Sequence, residues 1–330
     1  MVGTKTVDKD LKRLSRVEKA TLQLGKGNAK IGVGLLFILA VWAYLAWQSG
    51  TGEGELFVVA AGVIGAYMAL NIGANDVANN VGPAVGSAAL TMTGALVIAA
   101  VFETAGAVLA GSDVVSTIRK GIIDPAGIAS ATHFTWAMMA ALLSAALWIN
   151  LATWVGAPVS TTHSIVGGVM GAGIAAAGWG AVNWVTMSKI AASWVISPVL
   201  GGLVAAGFLA LIKFMIVFKD DKISAAKRWV PILVAIMAAA FSTYLIMKGL
   251  KNIWKPGGTV LVTIAIASFF IAWQLVRVWV AKAAEGLDNN RKSVSTLFTV
   301  PLICSAAMLS FAHGANDVAN AVGPLAAIVG

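Results

Sequence analysis

The stretch that decides the fold is GANDVANNVGP at residues 73–83, because it occurs again as GANDVANAVGP at residues 314–324. The copies match at ten of eleven positions, with an offset of 241 residues. Each copy places two shared asparagines and one shared aspartate before a closing Val-Gly-Pro. Proline lacks the amide hydrogen that a helix uses, so each copy predicts an interrupted helix whose freed backbone groups line a cavity or bind a ligand.

The composition around these motifs is that of a polytopic membrane protein. Of 330 residues, 59% are hydrophobic and 11% are charged, and the mean hydropathy is +0.86. A formal charge of +9 would suggest nucleic acid in a soluble protein. Here the basic residues cluster between apolar runs, so we predict the lipid bilayer as partner and no nucleic acid.

Apolar windows long enough to cross a bilayer predict about nine spans. They begin near Ile31, Leu56, Thr93, Phe134, Pro158, Lys189, Val230, Thr259 and Thr296. Two shorter pieces, residues 78–90 and 318–330, predict half-helices. The predicted fold class is therefore all-α, with nine spans plus half-helices that are broken or re-entrant.

Three basic segments set the predicted sidedness. The first 30 residues carry eight Lys/Arg, and further clusters lie in residues 213–228 and 277–292. Because cytoplasmic loops are enriched in Lys and Arg, we predict a multi-pass plasma-membrane protein with a cytoplasmic N-terminus. The loop with Lys248, Lys251 and Lys255 disagrees with this assignment, since it would lie outside.

With this sidedness, the two motif copies enter the membrane from opposite faces. Inverted-topology repeats with polar residues at a helix interruption are typical of secondary transporters, whose site lies near the midplane. The predicted units are a basic cytoplasmic segment (1–30), an added span (31–48), a first transport repeat (49–212), basic loops with connecting spans (213–293), and an incomplete second repeat (294–330). The first unit is either an amphipathic surface helix or a solvated tail.

The motif residues that suit a cation are Asn75 and Asp76, with Asn316 and Asp317 in the second copy. Carboxylate and amide oxygens are the ligands of hard cations, so we predict Na⁺ at these four residues. Glu103 joins them as an acid within a span. The alternative is that the amides only hold helices together by hydrogen bonds.

A hydroxyl-rich patch, APVSTTHSIVGG at residues 157–168, suits an oxyanion. Hydroxyls and amides at a helix start bind such an anion reversibly, so the predicted anion ligands are Ser160, Thr161 and Thr162. A hydrolase is excluded because no nucleophile-elbow pattern surrounds the serines. We therefore predict no enzyme activity and no cofactor.

Four pieces of the chain together resemble the inorganic phosphate transporter (PiT) family. They are GANDVANNVGP, FETAGAVLAGSDVVSTIRKGIID, PVSTTHS and SFAHGANDVANAVGP, in the family's order. The resemblance implies an inverted-repeat symporter that moves inorganic phosphate with a cation. It places the binding elements at Asn75, Asp76, Asn79, Ser160, Thr161, Thr162, Asn316, Asp317 and Asn320. The resemblance thereby implies that Asn79 and Asn320 join the three hydroxyls as phosphate ligands.

The resemblance leaves several alternatives open. Na⁺ is the expected coupling ion and H⁺ the alternative, sulfate or another oxyanion could replace phosphate, and an anion channel is a further rival. A homodimer is an alternative to a monomer. The family's second hydroxyl-rich motif would fall near position 399, so we expect the second repeat to be truncated at Gly330.

Overall fold

The computed structural model describes residues 31–49, 53–111, 121–124, 127–250 and 254–329. The predicted basic segment 1–30 lies outside the described residues. Within them the protein is helical, and a single isolated β-bridge joins Ile123 to Val182. The all-α class is confirmed.

Ten α-helices carry the described part of the chain, and we number them in chain order. They are α1 Ile31–Gln48, α2 Glu53–Gly86, α3 Met92–Ala110, α4 Ala131–Trp154, α5 Thr161–Ala177, α6 Trp184–Ile212, α7 Lys222–Tyr244, α8 Gly258–Ala283, α9 Arg291–Leu297 and α10 Thr299–Val329. Short π-helical turns, Lys213–Val217 and Leu245–Gly249, extend α6 and α7.

Seven of the described helical segments are long and apolar enough to cross a membrane, or eight if the pair α9 and α10, bent by 46°, counts as one span. The predicted number was about nine. One predicted span, the one from Pro158, is not among these seven, because α5 is only 17 residues long. It starts after the capping residue Ser160 and ends at Gly178, whose φ of +77° leaves the helical region.

The two predicted half-helices are not separate pieces. Residues 78–86 continue α2, and residues 318–329 continue α10, so the helix runs unbroken through each motif. The expected interruption is absent: α2 continues three residues beyond Pro83 and α10 five residues beyond Pro324, just as α6 continues through Pro198. Membrane helices tolerate such prolines, because other groups can pair with the carbonyl that each proline leaves without a helical donor.

The motif helices α2 and α10 cross in opposite directions. Gly65 of α2 faces Leu325 of α10, whereas Asp76, further along α2, faces His313, earlier in α10. The copies are therefore antiparallel, as inverted repeats require.

Small residues bring α3 and α10 into close contact. A Cβ atom on Gly106 would lie 2.9 Å from the carbonyl carbon of Phe311, and one on Gly314 would overlap the backbone of Glu103. Helices in membranes commonly associate through such small residues. This contact fixes Glu103 beside the second motif.

The remaining helices form a central and a peripheral group. α4 packs against α5 and α2 around Leu142, Ile149 and Ile165, which are fully buried. A separate apolar cluster joins α7, α8 and α9, with Val230 and Leu297 at its centre. α6 has one buried residue within its bounds, so most of its apolar side chains face outward.

We predict that Gly106→Ala destabilises the protein by about 1–3 kcal/mol, because the new methyl group overpacks the contact between α3 and α10. Thermal unfolding in detergent, followed by tryptophan fluorescence, measures the change. The matched control is Gly171→Ala in α5, where a Cβ meets no atom within 4 Å. The control is expected to be neutral or stabilising by up to about 1 kcal/mol. Equal stability of the two variants would contradict the close contact.

Candidate ion-binding site where the motif helices cross

The crossing of α2 and α10 brings the carboxylates of both motif copies to one hydroxyl. Thr161 Oγ1, the first residue of α5, lies 2.9 Å from Asp76 Oδ2 and 2.8 Å from Asp317 Oδ2. Asp76 and Thr161 are buried, with 7% and 2% of their surface exposed. A single hydroxyl hydrogen can satisfy only one carboxylate at a time. The two acids therefore compete for the same donor.

His313 stands between the acidic groups of three helices. Its Nε2 atom lies 3.3 Å from Asp317 Oδ2 and 3.7 Å from Asp76 Oδ2, and its Nδ1 atom lies 3.2 Å from Glu103 Oε1. Neither ring nitrogen makes a hydrogen bond of good geometry to a described residue, so these contacts are close approaches of polar atoms. Ligand atoms of Asp76, His313 and Asp317 lie within 4.8 Å of one another. This spacing can hold one cation.

Glu103 is tied to the first motif by a side-chain hydrogen bond. Asn80 Nδ2 donates to Glu103 Oε1 at 2.9 Å. Asn80 lies four residues after Asp76, on the same face of α2, so both side chains point toward α3 and α10. Through Asn80 and His313, the intramembrane acid of α3 becomes part of the cluster that contains both motif aspartates.

The hydroxyl-rich patch opens onto this cluster. A pocket of about 440 Å³ is lined by Asp76, Asn79, Pro158, Val159, Ser160, Thr161, Thr162, His313 and Asp317. Ser160 caps α5 by accepting from the His163 amide, and Thr162 accepts a hydrogen bond from Asn320 Nδ2 at 3.1 Å. The start of α5 and the second motif are therefore directly linked.

A smaller pocket of about 260 Å³ lies on the other side of His313. Glu103 and Gly73 line it, while His313 and Asp317 line both pockets. The imidazole and this carboxylate thus form the partition between a hydroxyl-rich pocket and one that contains the α3 acid.

The remaining predicted site residues lie in different settings. Asn75 points to α4, where its Nδ2 donates to Thr153 Oγ1 at 2.9 Å, and its Oδ1 accepts from the Val159 amide at 3.4 Å. Asn316 is exposed and donates to the Ala312 carbonyl of its own helix. Asn79 is exposed at the pocket, 3.5 Å from Asp76. The structure brings together Asp76, Asp317 and Thr161, but neither Asn75 nor Asn316.

Several polar residues of this region were not among the predicted ligands. Asn71 and Asn150 join α2 to α4 by a hydrogen bond of 2.9 Å, one turn away from Asn75 and Thr153. Asn80 and His313 complete the acidic cluster. The usable signal is spacing, because Asn71 and Asn75, like Asp76 and Asn80, are four residues apart and mark two polar faces of α2.

We predict that Asn75 and Thr153 are energetically coupled, since a hydrogen bond between their side chains joins α2 to α4. In a double-mutant cycle with Asn75→Ala and Thr153→Val, the interaction free energy should be about 0.5–3 kcal/mol. Thermal unfolding of the four proteins gives this value. The control cycle combines Asn75→Ala with Thr135→Val. Thr135 lies about five turns from Thr153 on α4, so the two free-energy changes should be additive within about 0.5 kcal/mol. Additivity in both cycles would contradict the bond.

Comparisons with known proteins agree with this geometry. A family model described as "Phosphate transporter family" matches residues 72–330. A "Putative phosphate permease" of Helicobacter pylori is 52% identical over 320 residues, which cover 97% of this chain and 60% of the relative. A protein of the same description from Pyrococcus abyssi is 37% identical over 268 residues, which cover 81% of this chain and 65% of the relative.

A solved structure is also similar. It is described as "The sodium-dependent phosphate transporter", with a TM-score of 0.77 and 37% identity, over 83% of this chain and 67% of that chain. The chain spans about 60% of the length of the Helicobacter pylori relative that it matches. The match of the family model across most of the sequence shows that the chain belongs to the phosphate transporter family.

Proposed function

We propose that this chain takes part in secondary active import of inorganic phosphate, coupled to Na⁺. The observation that carries the proposal is the meeting of Asp76 and Asp317 at the Thr161 hydroxyl, in a pocket lined by the hydroxyl-rich patch. Cation ligands and anion ligands are thereby in contact. The descriptions of the similar proteins, phosphate permeases and a sodium-dependent phosphate transporter, support the same ions.

The proposed cation site is centred on Asp76 and Asp317. Two carboxylates this close repel each other, and a cation between them removes the repulsion. Hard cations prefer oxygen ligands, and the prolines add backbone oxygens nearby. Pro83 and Pro324 cannot donate to the carbonyls four residues earlier, which belong to Asn79 and Asn320. Asn75 contributes indirectly in this arrangement, by holding the loop before α5, whereas Asn316 donates to the Ala312 carbonyl of its own helix and lies outside the proposed site.

Phosphate would bind at the start of α5. Ser160, Thr161 and Thr162 line the pocket, and their hydroxyls with the first amides of the helix suit an oxyanion. Asn79 and Asn320 extend this surface from α2 and α10. Hydroxyl and amide donors bind an anion without a fixed positive charge, so release remains easy.

The charge of the cluster sets the order of binding. Asp76, Glu103 and Asp317 carry three carboxylates, whereas His313 can supply at most one positive charge. The pocket is therefore negative and repels phosphate until cations enter. Import also needs cations energetically, because moving one negative charge inward against an inside-negative potential costs about 2.3 kcal/mol per 100 mV. Cation binding before phosphate binding satisfies both requirements.

The antiparallel crossing of α2 and α10 supports alternating access. Each repeat contributes one carboxylate to a shared site, so rocking of one repeat against the other opens the site to one side and then to the other. The pocket containing Glu103, beyond His313, is a candidate route on the second side.

Proton coupling is the second candidate, and His313 is the observation that favours it. An imidazole within 4 Å of three carboxylate groups can carry a proton in place of a metal cation. Hydroxyls and amides can also bind sulfate, and the descriptions of the similar proteins, phosphate permeases and a sodium-dependent phosphate transporter, favour phosphate.

Proteoliposomes containing the chain should take up radioactive phosphate in an external Na⁺ gradient. We expect saturable uptake that falls to the level of empty liposomes when choline replaces Na⁺ at constant pH, because phosphate binding needs the carboxylates to be neutralised. Uptake that is unchanged in choline but abolished by collapsing a pH gradient would assign the coupling to protons. Excess sulfate should not compete, and full competition by sulfate would overturn phosphate specificity.

We predict that Asp76→Asn reduces Na⁺-dependent uptake at least roughly 10–100-fold, as the loss of a carboxylate next to the cation implies. The change keeps the side-chain shape, so insertion and elution in detergent should be normal. The matched control is Asp288→Asn in the loop before α9, which should transport normally. Near-normal uptake by the Asp76→Asn protein would reduce Asp76 to a structural role.

A further inference from the structure

Two adjoining cavities lie away from the motif site, where the end of α6 meets α7, α9 and the start of α10. The first, of about 300 Å³, is lined by Lys222, Arg291 and Ser295 at the helix ends. The second, of about 410 Å³, is almost wholly apolar and extends along α7 and α10. Ile212 and Phe298 line both cavities, so the two adjoin. We call them together the groove, with Lys222 and Arg291 beside apolar side chains at one end and an apolar cavity at the other.

The cationic end is built on a fixed loop. Asn289 accepts from the Lys222 amide at 2.8 Å and donates to the Asp220 carbonyl, which joins the loop before α7 to the loop before α9. Lys222 Nζ donates to the Lys219 carbonyl at 2.9 Å. Neither Lys222 nor Arg291 forms an ion pair with a carboxylate of the described residues. Their charges are available to a ligand.

The surrounding loops reinforce this charge. Residues 213–228 and 277–292 carry nine Lys/Arg and four Asp/Glu. Of the acids, Asp221 is already engaged, since it accepts from the Ser224 amide as the cap of α7. A basic rim at the ends of membrane-crossing helices attracts anionic lipid headgroups.

We propose that this groove binds one anionic phospholipid. Its phosphate lies between Lys222 and Arg291, where a guanidinium can form paired hydrogen bonds to phosphate oxygens, and an acyl chain lies in the apolar cavity. Leu233, Met237 and Leu302 line that cavity. This binding site is separate from the motif pocket and does not depend on which ion is transported.

The shape of the groove favours a lipid over other occupants. A helix about 10 Å wide with a 5.4 Å pitch occupies roughly 420 Å³ per turn, so the apolar cavity has room for about one turn. A free phosphate would use the cationic end alone and leave the apolar cavity without a role. Only an amphiphile with a small anionic head matches both ends.

The proposed lipid would contact the bend between α9 and α10. Phe298, which lines both cavities, is the residue between α9 and α10, where the chain bends by 46°. The same α10 carries His313 and Asp317 further along its length. A lipid bound at the bend braces the start of the second motif helix against α7.

Native mass spectrometry of the full chain in detergent tests the proposal, with phosphatidylglycerol and phosphatidylcholine of equal chain length as probes. We expect tighter binding of phosphatidylglycerol. The double variant Lys222→Gln, Arg291→Gln should weaken it roughly 30-fold, or about 5-fold for each cationic side chain removed, without affecting phosphatidylcholine. The matched control Lys227→Gln, Lys292→Gln removes two charges of the surrounding loops that do not line the cavities, and it should weaken phosphatidylglycerol binding clearly less.

Further experiments distinguish the phospholipid from other ligands of the groove. Inorganic phosphate should not displace phosphatidylglycerol, and displacement would show a free-anion site instead. Leu302→Trp should block the apolar cavity and weaken binding, whereas unchanged binding would overturn the acyl-chain assignment.

If the glutamine variant does not fold, Lys222→Arg, Arg291→Lys conserves charge and must still prefer phosphatidylglycerol. A photoactivatable phosphatidylglycerol must crosslink to α7 or α10 near the groove, and crosslinking confined to other helices would contradict the site.

Discussion

The constraint on which this structure depends is that two carboxylates lie between membrane helices and must find partners there. An acid at the centre of a bilayer costs roughly 2.5–3.5 kcal/mol even on a lenient scale, so Asp76 and Asp317 cannot be left to the lipid. The fold meets this cost by crossing α2 and α10 in opposite directions and placing the first hydroxyl of α5 between them. The close glycine contact between α3 and α10 then adds Glu103 and His313.

Much of this fold could be predicted from the sequence, because apolar runs and basic loops report directly on membrane crossing. The number of predicted crossings between the basic loops placed the two motif helices in opposite directions across the membrane. The contacts of Gly65 and Asp76 with α10 show that α2 and α10 are antiparallel. Two features were beyond such patterns. The helices run through Pro83 and Pro324, as α6 runs through Pro198, because membrane helices tolerate proline where other groups satisfy the freed carbonyl. A window near Pro158 resembles a span, but capping by Ser160 and the turn at Gly178 leave 17 residues.

The site, like the fold, could be predicted only in part from the sequence. Duplication marked Asp76 and Asp317, and a run of hydroxyls marked Thr161, because these signals lie within the sequence itself. The sequence could not show that Asn75 and Asp76 face different helices. Neighbouring residues of a helix point about 100° apart, and only packing decides which direction meets α4 and which meets α10. The same limit left Asn80 and His313 outside the predicted ligands, because their place in the cluster arises from the approach of α3 to the second motif.

The single hydrogen of Thr161 links the two repeats in a way that separate sites would not. When the hydroxyl donates to Asp76, Asp317 must take its positive partner from His313 or from a transported cation, and the reverse arrangement places that demand on Asp76. Asn320 donates to the same hydroxyl oxygen and also to Thr162, so the proposed anion-binding patch changes with the choice of acceptor. In the proposed function, cation occupancy and the geometry of the phosphate pocket are therefore coupled through one side chain.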